Sequence, residues 1–93
     1  MKFEKALSLV LTELERAQAL HPEWPRDPVH QAAIVAEEAG ELVQASLNHH
    51  YDNGTPNRMV TEAVHTAAVA LRFLINMELG EKLRKELKAM ARE

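Results

Sequence analysis

The chain contains no cysteine, which excludes a disulfide framework and a thiolate metal site and suits a reducing compartment. No apolar run approaches the ~20 residues of a membrane-spanning helix, and Met1-Lys2-Phe3-Glu4-Lys5 lacks the pattern of a secretory signal. A cytoplasmic location with no membrane partner is the expectation. Eleven Lys and Arg against fourteen Asp and Glu leave a net charge of −3, so the clustered basic face that polymeric DNA or RNA requires is missing. Alternating β-branched runs are missing too. Twelve of the fourteen acids are Glu, and Ala and Leu dominate the apolar set, which predicts an all-α chain. No repeat or low-complexity segment divides the 93 residues, so 1–93 is read as one domain. A core this small gains much from a second copy. A homodimer or homotetramer is expected.

Proline is scarce, and its four positions punctuate the chain. A first helix, about Lys2 to Leu20, places Phe3, Leu7, Val10, Leu14 and Ala17 on one stripe with Glu4, Glu13, Glu15 and Arg16 largely outside it. His21-Pro22-Glu23-Trp24-Pro25-Arg26 is a loop, because two prolines disfavour helix there. Asp27 as N-cap and Pro28 at the first helical position open a second helix to about His50, followed by the turn residues Tyr51-Asp52-Asn53-Gly54. Thr55 and Pro56 repeat the opening for a third helix that runs to Met77 and breaks near Gly80. Glu81 to Glu93 forms a fourth, with a narrow stripe of Leu83, Leu87 and Met90 among charged residues, read as a solvated surface helix.

Lysine and arginine vanish from Asp27 to Asn57, yet the second helix carries Glu37, Glu38 and Glu41. None of the three finds a cation at i±3 or i±4, and the like-charge pair Glu37/Glu41 costs roughly 0.2–0.5 kcal/mol even in water. At about 100° per residue the three share one quadrant, with His30 two turns upstream on the same side. Ala32, Val35, Ala36, Ala39, Leu42, Val43 and Leu47 occupy the rest. A helix apolar nearly all round is normally buried, so the glutamates are expected to face a protein-lined cavity or a subunit interface, and Gly40 to admit a close neighbour. A divalent cation is the simplest neutralising partner.

The third helix has a polar stripe of its own, Arg58, Glu62, His65, Arg72 and Asn76, at steps that keep one face. A short connection makes the two helices antiparallel, and the stripes can meet across one cleft. Each residue also has a plainer role. Glu62 can pair with Arg58, His65 can be an interface histidine, Arg72 can snorkel, Asn76 can cap the helix, and Trp24 can cover the core. His49 and His50 suit the negative end of the second helix. Oxygen donors without Cys favour Mg²⁺ or Mn²⁺ over a structural Zn²⁺.

At these residues the chain resembles the all-α nucleoside triphosphate pyrophosphohydrolase superfamily, in its MazG-like branch. Glu37-Glu38-Ala39-Gly40-Glu41-Leu42 matches the EExxE motif, and Glu62-Ala63-Val64-His65 matches ExxD with His in the place of Asp. The similarity covers about residues 28–77. It implies Mg²⁺ held by Glu38, Glu41 and Glu62 with Glu37 close by, cleavage of a nucleoside triphosphate between the α- and β-phosphates to the monophosphate and pyrophosphate, and four-helix bundles completed by oligomerisation. His is a poor ligand for Mg²⁺, which leaves His65 to lie behind the ligands, to bind Mn²⁺ or to act as a base. Arg72, or a cation of the fourth helix, would hold a terminal phosphate, Trp24 or Tyr51 would stack on the base, and Asn76 is expected as a further substrate-binding residue. Three other readings remain open: half of a di-iron carboxylate site built on Glu62-x-x-His65, a catalytically degenerate nucleotide-binding or assembly module, and a phosphoribosyl-ATP pyrophosphohydrolase.

Overall fold

The computed structural model describes residues 1–77 and 80–92, which form four helices and no strand. They are α1 (Phe3–Leu20), α2 (Pro28–Asp52), α3 (Pro56–Ile75) and α4 (Glu81–Ala91). Glu93, the expected end of the fourth helix, lies outside the described residues. No described helix is long and apolar enough to cross a membrane.

Local chemistry accounts for the ends. Asp27 caps α2 as expected, its Oδ1 accepting the Val29 amide at 2.9 Å, with Pro28 occupying the first turn. Thr55 holds the equivalent place at α3, but its side chain makes no cap bond. The turn expected from Tyr51 begins later. Tyr51 and Asp52 stay helical, and Asn53 reverses the chain at φ 57°, the left-handed region that Asn tolerates better than most residues. Gly54 then donates its amide to Asn48 O at 2.9 Å, and a Cβ on it would meet the Asn48 carbonyl carbon at 3.1 Å. At the far end α3 stops at Ile75, two residues short of Met77, where Asn76 Nδ2 donates to Arg72 O at 2.8 Å.

Helix α3 is the central element. It packs against α2 on one side and α1 on the other, whereas α4 packs against none of the described helices. The α2–α3 pair is antiparallel: Ala32 and Val35, early in α2, line one groove with Phe73 and Leu74, late in α3. Helix α1 runs parallel to α3, with Ala6 and Val10 beside Val60 and Ala63, and Glu13 and Ala17 beside Ala68 and Arg72.

The core is thin. Among the described residues Leu14, Ala45 and Ala68 are the buried apolar ones, joined by Gln31 and Arg72. The radius of gyration is 15.6 Å, well above the ~12 Å of a compact chain of this length. Two expectations need correction here. Helix α2 is not buried all round: Gln31, Ile34, Glu38, Leu42 and Ala45 turn inward, while Val29, Ala32, Ala36, Gly40, Val43 and Leu47 form an exposed outer stripe. In α1 the inward face includes Leu9, Val10, Glu13, Leu14 and Ala17, and Phe3 and Leu7 are exposed. The short connections place α3 between its neighbours, and that placement selects which sector of each outer helix is covered.

Candidate functional site

Three helices each contribute a carboxylate to one place. From α3, Glu62 and His65 stand one turn apart and face the same way; from α2 comes Glu38, and from α1 comes Glu13. One ligand-type atom each from Glu38, Glu62 and His65 lies within 4.8 Å of the others. His65 Nδ1 is 3.7 Å from Glu62 Oε2 and 3.9 Å from Glu38 Oε2, and its Nε2 is 3.4 Å from Glu13 Oε1. The side chains of Glu62 and Glu13 are only 13% and 15% exposed. Glu38 Oε2 and Glu62 Oε2 are shut off from solvent and receive no hydrogen bond from a described residue. Buried carboxylate oxygens ordinarily have donors.

The electrostatics follow from the geometry. Burial raises the Glu38 carboxyl above its ordinary value, and Glu41, Glu62 and Glu37 add to this while His65 opposes it. Glu13 moves the other way, chiefly because Arg16 grips it with two hydrogen bonds, Nε to Oε2 at 2.7 Å and Nη2 to Oε1 at 2.6 Å.

A cleft of about 330 Å³ opens beside the cluster, lined by Glu13 of α1, Ile34 and Glu38 of α2, His65 and Arg72 of α3, and Trp24 of the loop between α1 and α2. Arg72 is 6% exposed; its Nη2 donates to His21 O at 2.5 Å, and its guanidinium lies 4.8 Å from the centroid of the Trp24 ring. Gln31 Nε2 fixes the same loop from α2 by donating to Pro25 O at 2.6 Å. Trp24 Nε1 is buried without a partner among the described residues. The loop between α1 and α2 is thus clamped over the cleft by a buried guanidinium and a buried amide.

Of the residues singled out in the sequence, the structure brings Glu38, Glu62 and His65 together and lines the adjoining cleft with Trp24 and Arg72. Glu37 and Glu41 are exposed; Glu41 is near enough for its charge to reach Glu38 but contributes no atom to the cluster. Glu62 turns to His65, and no ion pair with Arg58 forms among the described residues. His30 and Tyr51 are exposed, Tyr51 resting edge-on against His50 at 4.5 Å, and neither lines the cleft. Asn76 lines a separate depression behind Trp24. No cation of α4 lines the cleft. Glu13 and Arg16, read from the sequence as outside the apolar stripe, belong to the site. The available signal was the i+4 step from Leu9 through Glu13 to Ala17, which puts Glu13 on the covered face.

No protein-family model, curated protein or solved structure gives a significant match to this chain.

Proposed function

We propose that the chain is a metal-dependent nucleotide pyrophosphohydrolase of the all-α, MazG-like kind, splitting a nucleoside triphosphate into the monophosphate and pyrophosphate. The observation that carries this reading is the meeting of Glu38, Glu62 and His65, two of whose carboxylate oxygens are buried without donors among the described residues, beside a cleft that Glu38 and His65 line together with guanidinium groups and an indole. The donor set fits a divalent cation: Glu38 and Glu62 would hold it with His65, and Glu41, one turn along α2, would complete the set or accept a proton. When bound, such an ion neutralises phosphate charge and acidifies water.

The remaining residues bind and orient. A cleft of about 330 Å³ sits at the low end of the ~300–1,000 Å³ range of small-molecule sites, which suits a nucleotide and not a polymer. Arg16, at the mouth, exchanges Glu13 for a phosphate oxygen. Arg72, held by His21 O and Trp24, gives the inner end of the cleft a fixed positive charge, and Trp24, Pro25 and Ile34 offer an apolar wall to a base.

Assembly belongs to the same proposal. Along the outer side of α2, bordered by the polar His30, Glu37, Glu41 and Gln44, runs a stripe of small and apolar residues in which Val29 and Val43 are 76% and 58% exposed and the space that a Gly40 side chain would occupy is empty among the described residues. A second copy laid along this stripe would pair two α2–α3 hairpins into a four-helix bundle. The test of the activity is a screen of the nucleoside triphosphates for pyrophosphate release with Mg²⁺ and with Mn²⁺. Absence of release from every one of them sinks the reaction. A second reading rests on Glu62-x-x-His65 converging with Glu38, which is half of a di-iron carboxylate site; a visible absorption band on adding Fe²⁺ in air, without hydrolysis, would favour it.

A further inference from the structure

His65 stands among three carboxylates, and its two ring nitrogens face different company. Nε2 is turned to Glu13 Oε1, whereas Nδ1 is turned to Glu38 Oε2 and Glu62 Oε2 together. A neutral imidazole has one N–H and one lone pair to distribute. Glu13 has the closer contact, 3.4 Å against 3.7 and 3.9 Å, and two hydrogen bonds from Arg16 fix its carboxylate in place, so it is the better placed acceptor for the N–H. With the proton on Nε2, the Nδ1 lone pair turns toward the two carboxylate oxygens that have no donor. One nitrogen and two oxygens then direct lone pairs into the same space. Such an arrangement is repulsive when empty and becomes a ligand face around a cation. A carboxylate behind a ligating histidine is the usual device for fixing its tautomer and raising its basicity.

The ion that fits is set by the nitrogen. Mg²⁺ favours oxygen and gives up its water reluctantly, whereas imidazole suits the first-row transition ions. We propose that Glu13 is a positioning residue that locks His65 with Nδ1 free, and that the site therefore takes a first-row transition ion such as Mn²⁺ or Co²⁺ in preference to Mg²⁺. This rests on the metal site of the proposed function and names the class of ion it holds.

The experiment uses the full chain, stripped of metal, titrated separately with Co²⁺, Mn²⁺ and Mg²⁺. Calorimetry gives each affinity, and the visible spectrum of Co²⁺ reports ligation by nitrogen. Co²⁺ should bind at least ~10-fold more tightly than Mg²⁺. Glu13→Leu should weaken Co²⁺ by ~10–100-fold and Mg²⁺ by less, with Glu13→Gln, which keeps a carbonyl acceptor, in between. His65→Asp should abolish the preference. Circular dichroism and melting curves establish that each variant is folded. Equal affinities for Co²⁺ and Mg²⁺, or a ratio unmoved by Glu13→Leu, overturns the inference; binding of no ion at all removes the metal site itself. Pyrophosphate release plays no part in these measurements, so a chain that prefers Co²⁺ in this way yet hydrolyses nothing keeps the inference and loses the reaction.

Discussion

Replacing Glu38 by Gln keeps the shape of the side chain and removes one charge from the most crowded acidic position in the molecule. Burial and the charges of Glu41, Glu62 and Glu37 hold the Glu38 carboxyl above its ordinary value of 4.5, against the opposing pull of His65. A carboxyl raised on folding ionises more readily in the unfolded chain, so stability falls as pH climbs from the unfolded value through the raised folded one, and the loss then stays constant to neutrality. The Gln variant escapes that loss. A single like-charge helix pair accounts for roughly 0.2–0.5 kcal/mol; adding Glu62 across the hairpin and the buried oxygen, and discounting for solvent screening, gives about 0.5–1 kcal/mol at pH 7. For a domain of this size 1 kcal/mol moves the melting temperature by about 4–8 °C, so the variant should melt about 2–8 °C above the parent. Below the ordinary carboxyl value the two should coincide. The assay is thermal denaturation followed by circular dichroism, with chelator present and protein concentration fixed, at pH 4 and pH 7. A variant less stable than the parent at pH 7, or one equally shifted at both pH values, refutes the electrostatic account, since the first outcome would mean that Glu38 has a cationic partner.

Millimolar Mn²⁺ should stabilise the parent by mass action, by ~2.7 kcal/mol at one hundred times the dissociation constant, and so raise its melting temperature, and should leave Glu38→Gln nearly unmoved; equal shifts in both proteins would place the ion elsewhere. Arg72→Met removes a nearly buried guanidinium that donates to His21 O and stacks on Trp24, and should destabilise the chain by about 1.5–3 kcal/mol with a change in Trp24 fluorescence, whereas an unaltered emission spectrum would show that the indole is not held there. Gly40→Leu separates the lone chain from the oligomer. Beyond the helix's own backbone, no described residue lies within 4 Å of the Cβ position in one chain, so a monomer should gain roughly 0.8 kcal/mol of helix propensity, while a closely packed interface should be forced apart. Sedimentation equilibrium should show the parent associated and the variant dissociated; a variant that stays associated and melts higher removes α2 from the interface.

Much of the fold was legible because helix ends are written in local chemistry. Asp27-Pro28 and the two prolines before it located the start of α2 and the preceding loop, and the pairing of α2 with α3 followed from a connection too short to allow anything but a hairpin. The end of α2 was harder, because Asn53 can turn the chain only where neighbouring contacts leave it the left-handed conformation, and Tyr51 and Asp52 are compatible with either state. Glu13 was hidden by its own partner. An i,i+3 pair with Arg16 looks like surface decoration in the sequence, and only the position of α3 shows that one side of that carboxylate is turned inward to His65.

The glutamate trio shows why composition alone does not select ligands. Helix α2 is apolar around most of its circumference, so nothing in its own pattern marks the sector that α3 covers. Once Gln31, Ile34, Leu42 and Ala45 are seen to define that sector, the fate of each glutamate follows from helix geometry. Glu38 falls at the centre of the covered face. Glu41, three residues on, is rotated by about 60° toward the edge, and Glu37, one residue back, by about 100°, which is why both are exposed while Glu38 is not. The vacant third position beside Glu38 and Glu62 is filled from the opposite helix by His65, whose i+3 step from Glu62 returns it to the same face of α3. A helix motif of three acids thus contributes one of them to the cluster with Glu62 and His65, with Glu37 and Glu41 left exposed beside the apolar stripe of Ala36, Gly40, Val43 and Leu47. A second copy on that stripe would close over them from the far side, and would do for these two carboxylates what α3 does for Glu38: remove water and raise the demand for a nearby positive charge.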